Sequence, residues 1–404
     1  MGARRSIRPG TRGFTVLLSA AMAMTALGID TLLPAFDEIR AEFGLASDAT
    51  EVARLVTAFI VGFGLGQFPA GLLADRFGRR AVLRGGLALY IVGAAASALA
   101  PSLGWMIAAR FLWGLGAAGP RVAVTALVRD SYVGAAMAKQ MSTIMAIFLI
   151  VPMIAPALGE ALLAIGPWQF VFWFCVLAAL GVMTAATFLV SPPRDASRGA
   201  FTRASVWADW KAVLTAPGTV VWVLATCALT STFMSFIASS ENIVDEAFGL
   251  KRWFVLIFAG LALSMAMATS LNGRFVERIG LRRALTVAPV SLVVLATATC
   301  AVALATDGTP PAAVFFVLAF AVMVNQQLLM VNINSAAMVP LGQVAGSAAA
   351  LIGATPQVVG ALLGSQIDAR FDGTVRPLSI AFLATSLVTL VSVRRGLRAT
   401  RASL

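Results

Sequence analysis

Nothing constrains this chain more than its twelve long apolar runs. They fall at about 14–36, 52–73, 85–103, 105–127, 140–163 and 168–190, and then at 217–239, 253–271, 284–305, 311–333, 345–367 and 376–393. Each is close to the ~20 residues that carry an α-helix across a bilayer. Lipid offers no partners to open backbone groups, so helices that satisfy their own hydrogen bonds are the expected spanning form. Composition agrees, with 59% of residues hydrophobic and 12% charged, which is outside the soluble range. Only one internal polar stretch approaches these runs in length. It is 191–216, which contains Ser191-Pro192-Pro193-Arg194-Asp195 and Asp209. The expected organisation is an N-terminal six-helix bundle (1–190), a linker (191–216) and a C-terminal six-helix bundle (217–404).

The turn between the second and third runs returns half a chain later. Gly71-Leu72-Leu73-Ala74-Asp75-Arg76-Phe77-Gly78-Arg79-Arg80 is matched by Gly273-Arg274-Phe275-Val276-Glu277-Arg278-Ile279-Gly280-Leu281-Arg282, displaced by 202 positions in a chain of 404. Glycine, acid and arginine fall in register at Gly71/Gly273, Asp75/Glu277, Arg76/Arg278, Gly78/Gly280 and Arg80/Arg282. A repeat at half the length indicates two similar halves joined head to tail.

The first turn resembles the signature loop between the second and third helices of the major facilitator superfamily, and the second resembles its degenerate copy between helices eight and nine. The resemblance covers essentially the whole chain. It implies an all-α integral membrane fold of twelve transmembrane helices in two six-helix bundles, related by a pseudo-twofold axis along the membrane normal. It also implies a gating loop made of Gly71, Asp75, Arg76, Gly78, Arg79 and Arg80. In that loop Asp75 pairs with basic groups or a helix N-terminus of the other bundle and releases as the cavity turns inward. The plainer account of these arginines is topological: they hold the loop inside.

The formal charge is +12, but apolar runs interrupt the basic residues and leave no continuous face for nucleic acid. With the N-terminus in the cytoplasm, 22 of the 30 lysines and arginines lie in cytoplasmic segments, whereas the opposite side has only Arg40, Arg54, Lys251, Arg252, Arg370 and Arg376. The positive-inside rule then predicts both termini in the cytoplasm of a plasma (inner) membrane protein. Run 14–36 lacks a small-residue cleavage site and is read as a retained first helix. Cys175, Cys227 and Cys300 lie in apolar runs and read as small buried hydrophobes. Histidine is absent, which removes the usual catalytic base and neutral-pH switch. There is no Gly-x-x-x-x-Gly-Lys-Ser/Thr for ATP and no metal-ligand spacing. A non-enzymatic chain without cofactor or metal is expected, with any proton chemistry left to carboxylates.

Asp30 stands in Gly28-Ile29-Asp30-Thr31-Leu32-Leu33-Pro34, roughly 24 Å into a helix that begins at Phe14. A carboxylate there is costly unless paired or protonated. Either it is hydrated near the outer interface, or it is a proton site in a transport cavity. Arg110 and Arg121 are eleven residues apart, which puts them on one helix face about 16 Å apart. Gly114 and Ala117 lie between them, and a stripe of this kind must face protein or water. A structural ion pair and a coupling role are both open to Arg110, and the same holds for Arg121. Pro152-Met153-Ile154-Ala155-Pro156-Ala157-Leu158-Gly159 belongs to a kinked helix, with Glu160 next to it as either a solvated acid or a second proton site. In the second half Thr230, Ser231, Thr232 and Ser235, with Phe233 and Phe236, lie at mid-membrane depth, as do Asn325-Gln326-Gln327 and Gln357. Such groups serve as interhelical glue or as ligand contacts.

The motifs around Asp30 and Arg110, and above all Pro152-x-x-x-Pro156-x-x-Gly159, resemble those of the drug/proton antiporter branch, in the form of the bicyclomycin-resistance-type family. Val344-Ala345-Gly346-Ser347-Ala348 is similar to that family's entry to the eleventh helix. The sequence departs from the family at Glu160, where relatives carry a small or amide residue, and at Gln169, where arginine is commoner. The resemblance implies a proton-driven exporter of small drug-like molecules, working as a monomer in the lipid bilayer by alternating access. Asp30, Arg110 and Glu160 would couple protons, and Asp30, Trp113, Arg121, Phe233, Asn325, Gln326 and Gln357 would line the substrate cavity. The rival expectations are a metabolite or organic-anion carrier using Arg110 and Arg121 as ligands, and a transport-dead receptor.

Overall fold

A computed structural model describes residues 7–46, 49–189, 211–216, 218–339 and 345–400. Arg4, Arg5, Arg401, Val344 and the predicted linker up to residue 210 lie outside the described residues. Twelve long helices make up nearly all of the rest. In the first half they are α1 Arg12–Asp30, α2 Arg54–Phe77, α3 Arg79–Ala98, α4 Leu103–Ser131, α5 Gly134–Leu163 and α6 Gln169–Thr187. In the second half they are α7 Thr219–Asn242, α8 Phe254–Ile279, α9 Leu281–Ala305, α10 Ala312–Met338, α11 Ala345–Asp368 and α12 Arg376–Ala399. By length and composition, eleven helical stretches among the described residues can cross a membrane; α11, at 24 residues, is also long enough to do so. Large apolar side chains such as Leu177, Val294 and Val317 are exposed, as lipid-facing positions require.

The chain falls into two compact units, Met1–Phe201 and Thr202–Leu404. Within the first, α4 packs most extensively, against α2 and α3; α3 also packs on α6, and α1 on α5, α4 and α6. The second unit repeats each of these pairings six helices on: α10 with α8 and α9, α9 with α12, and α7 with α11, α10 and α12. The half-chain repeat therefore extends from one turn to the whole packing pattern of a unit.

The charged turn itself shows why its glycines recur. Gly78 joins α2 to α3 at φ 94°, ψ 154°, and Gly280 joins α8 to α9 at φ 82°, ψ 145°. A Cβ is strained at such angles, so glycine ends one helix and starts the next without a loop between them. The link after α1 contains a short helix, Phe36–Glu42, that is not merely superficial. Phe36 and Ile39 are buried, and Arg40 is held by Asp37 at 2.6 Å and by the Ala49 carbonyl at 3.1 Å. The N-terminal arm is clipped down as well. Ile7 N donates to Phe188 O at 2.8 Å, and Gly10 N donates to the Tyr132 hydroxyl at 2.8 Å.

Strain of this kind costs about 1–3 kcal/mol per site. Gly78→Ala and Gly280→Ala should each lower the thermal melting temperature measured in detergent. A Cβ added to Gly71 or Gly273, both inside helices, meets no atom within 4 Å, so Gly71→Ala and Gly273→Ala should leave it unchanged or raise it.

Candidate functional site

The interior of the N-terminal unit is built around α4. Glycines bring its backbone against its neighbours: a Cβ on Gly114 would fall 1.9 Å from Phe59 O of α2, and one on Gly116 would fall 2.3 Å from Tyr90 N of α3. Across this tight seam lies an aromatic cluster. Trp113 is 1% exposed and meets Phe59, Tyr90 and Phe172 at ring separations of 5.7, 5.2 and 5.6 Å. Trp113 thus belongs to the helix packing inside the unit.

Arg110 is 0% exposed and is built into the same cluster. Its Nη1 donates to Gly28 O at 2.6 Å and its Nε to Leu55 O at 3.1 Å. The guanidinium carbon lies 4.7 Å from the ring centres of both Phe59 and Trp113, within cation–π range. The ion pair left open by the sequence is not formed among the described residues: Arg110 has backbone carbonyls and π faces in place of a carboxylate. Its Nη2 has no hydrogen-bond partner there. Arg121, further along α4, is half-buried, with Nη1 3.4 Å from Met22 Sδ of α1 and the guanidinium carbon 5.6 Å from the Phe148 ring centre of α5. Both arginines therefore reach α1, as their shared face predicts.

Asp30 is the last residue of α1 and 5% exposed, yet among the described residues its carboxylate has neither a hydrogen bond nor an ion pair. Thr31 N and its hydroxyl still donate to Leu27 O, at 3.3 and 2.5 Å, and the chain then tightens into a 3₁₀ turn, Leu33–Ala35, where Pro34 has no N–H to continue the α-helical ladder. Onto this end of α1 packs α5. A Cβ on Gly159 would lie 2.5 Å from Thr31 O and 3.2 Å from Pro34 Cγ, so only glycine permits this approach. The two sequence motifs thus meet directly, with Asp30 beside their contact. Pro156 is buried and Pro152 half-buried within α5, and Glu160 is exposed.

The gating-loop residues form a cluster of their own. Arg79 uses all three guanidinium nitrogens: Nη2 to Asp75 Oδ1 at 2.9 Å, Nε to Asp130 Oδ2 at 2.8 Å and Nη1 to Ala74 O at 2.7 Å. One side chain thereby ties the end of α2, the start of α3 and the end of α4. Arg80 donates to Thr187 O at the end of α6, and Arg76 lies over the Phe77 ring at 5.3 Å. Asp130 escaped the sequence reading as a partner, although its position 202 residues before Asn332 was a signal. In the second unit Asn332 and Asn272 exchange amide hydrogen bonds at 3.0 and 3.1 Å.

The polar residues named in the second half are spread over several seams. Gln326 is 0% exposed and donates to Thr232 Oγ1 at 2.9 Å, tying α10 to α7, and Asn325 donates to Ser291 Oγ at 2.6 Å, tying α10 to α9. Both act as interhelical glue. Phe233 and Gln357 are half-buried. A groove of about 750 Å³ lies elsewhere, between Glu38, Glu42, Trp168 and Trp173 of the first unit.

The sequence pattern of the Major Facilitator Superfamily matches residues 18–365. The chain is 25% identical over 391 residues to YdgK, an uncharacterized MFS-type transporter of Bacillus subtilis (strain 168), with 92% of each chain covered. It is 27% identical over 262 residues to the multidrug resistance protein MdtL of Escherichia coli O139:H28 (strain E24377A / ETEC), spanning 65% of this chain and 66% of that one. Two solved structures share its fold. One is a bacterial homolog to the human lysosomal transporter Spinster in an inward-facing and occupied conformation, at TM-score 0.71 and 15% identity over 97% of both chains. The other is a D-xylose-proton symporter, at TM-score 0.72 and 13% identity over 93% of this chain and 97% of that one.

Hydrogen bonds to a charged group are worth roughly 1.5–3 kcal/mol each. Arg110→Met, which gives up two of them and two π contacts, should therefore lower the melting temperature clearly more than Arg121→Met. A thermal-shift comparison of the two purified variants checks this.

Proposed function

This chain belongs to the major facilitator superfamily and is a multi-pass membrane transporter; from that premise we propose that it exports small drug-like compounds from the cytoplasm in exchange for protons. One observation carries the proposal. The Gly28-x-Asp30-x-x-x-Pro34 stretch and the Pro152-x-x-x-Pro156-x-x-Gly159 stretch are seated on each other through Gly159 and Thr31, beside a buried acid that has no partner among the described residues. Such a carboxylate is costly as an anion and well suited to take a proton. The name of MdtL supports the drug-like substrate class, and the existence of a D-xylose-proton symporter with this fold supports proton coupling.

In this scheme the transporter sits in the inner membrane with both termini in the cytoplasm, as the arginine distribution favours. Protons entering from outside bind Asp30 and displace the substrate, and Glu160 serves as a second acceptor. The scheme assigns the substrate path to Asp30 and Arg121 in the first unit and to Phe233 and Gln357 in the second, a mix of charged, aromatic and amide groups that suits bulky amphiphiles better than sugars. Trp113, Asn325 and Gln326 support that path from the helix seams. Alternating access then breaks and remakes the gating-loop contacts of Asp75, and each charge crossing a ~100 mV potential contributes about 2.3 kcal/mol. An organic-anion carrier using Arg110 as ligand is disfavoured, because that guanidinium is already committed to two carbonyls and two rings.

Reconstituted into liposomes with a trapped pH dye, the protein should couple lipophilic substrate movement in one direction to proton movement in the other. Asp30→Asn should abolish the proton signal while substrate binding, read by tryptophan quenching, persists. An unchanged rate and pH profile in that variant would remove Asp30 from the mechanism.

A further inference from the structure

The C-terminal unit contains a buried carboxylate that the transport scheme does not use. Asp368 is the last residue of α11 and 5% exposed. It continues a row, Gly360, Gly364, Asp368, spaced by fours and therefore lying on one helix face. A Cβ on Gly360 would fall 2.6 Å from Thr230 Cγ2, and one on Gly364 would fall 2.7 Å from Ser231 O. With no side chain between them, α11 and α7 come close enough for two short hydroxyls to reach the acid. Ser235 Oγ donates to Asp368 Oδ1 at 2.5 Å, and Ser239 Oγ donates to the same oxygen at 2.8 Å. Oδ2 has no hydrogen-bond partner among the described residues.

The charges around this acid leave it without a cation. On α7 the acid Glu241 is buried two residues beyond Ser239, and α10 carries no charged residue at all. On α12 the first residue, Arg376, is paired with Asp307 at 2.6 Å, while Arg394, Arg395 and Arg398 stand at its far end. Arg370, just past α11, donates to Gln366 O. A cationic partner would hold a carboxylate in one charge state. Hydroxyls do not, because a serine donates to an anion as readily as it accepts from an acid. A metal cation needs several oxygens, and both hydroxyl protons here are spent on Oδ1, which leaves Oδ2 alone.

We propose that Asp368 is a further proton-binding site, contained within the C-terminal unit, with Oδ2 as the accepting atom and Ser235 and Ser239 as the partners that hold Oδ1 in either charge state. The step is a proton transfer from water to a carboxylate, with no other bond made or broken. The first unit offers a parallel. There the matching pair of helices, α1 and α5, also meets at a glycine, Gly159, and its acid, Asp30, is likewise the last residue of a helix. The proposal rests on proton coupling and extends it, since one cycle then has a site to protonate in each unit.

Infrared difference spectra of the full-length protein in lipid nanodiscs, recorded along an acid titration, test this without any substrate. Among the titrating bands of buried protonated carboxyls, wild type should show one that is lost in Asp30→Asn and another that is lost in Asp368→Asn. Ser235→Ala combined with Ser239→Ala should keep the Asp368 band and move it to higher frequency, because its Oδ1 loses two hydrogen bonds. That double variant leaves the acid in place and decides the matter if Asp368→Asn does not fold. The proposal is overturned if Asp368→Asn leaves both bands intact, if the double variant leaves the band unmoved, or if replacing choline by sodium at fixed pH removes it. Loss of the Asp30 assignment alone would sink the transport scheme and leave the Asp368 site standing.

Discussion

Inside a bilayer no water drives one helix flank against another, so the positions of helices depend on how closely their backbones can approach. In the first unit that constraint is met along α4. Gly114 and Gly116 admit the carbonyl of Phe59 and the amide of Tyr90 to distances at which any Cβ would collide. The large side chains that cannot fit in those seams are gathered beside them, and Trp113, Phe59 and Tyr90 form the walls in which Arg110 is held. In the second unit the tightest seam lies between α7 and α11, at Gly360 and Gly364. The two units keep the same pairing of helices while concentrating their closest contacts in different pairs.

Divergence within a shared plan also appears in the polar groups. The first unit closes the ends of α2, α3 and α4 with one arginine and two aspartates, a charged cluster that water or a changed partner can loosen. At the matching place in the second unit, Leu281 replaces Arg79 and Asn332 replaces Asp130, and two asparagine amides hold α8 to α10. Neutral amides in a buried seam are satisfied by each other and need no counter-ion. The first unit therefore has an electrostatic fastening and the second a neutral one.

Three of the buried charged groups are handled in three different ways. Arg110 is satisfied by carbonyls and ring faces, Asp368 by two hydroxyls, and Asp30 by none of the described residues. An ion pair would have been the simplest solution for the two acids and is used for neither. Groups left in this condition respond to protonation, whereas a salt-bridged pair resists it. That is the property by which the proposed transport scheme makes these two acids its proton acceptors.

Much of this protein was legible from its residues alone. Hydrophobic runs of bilayer length determine helices, because lipid permits no other open-ended structure, and a turn repeated at half the chain determines a duplicated unit. The motif at Asp30 and the one ending at Gly159 were likewise visible in one dimension. What only tertiary structure decided was which polar groups meet. Arg110 turned out to hold carbonyls instead of a carboxylate, Trp113 became an inner wall, Gln326 a strut to Thr232, and Asp368, at the margin of its apolar run, the partner of Ser235 and Ser239. Helical periodicity gives each side chain a direction, but it does not say which helix stands there or how near. That nearness depends on glycine contacts such as those of Gly364 with Ser231 and Gly396 with Trp222, between segments far apart in sequence, and such separations leave no local trace in the chain.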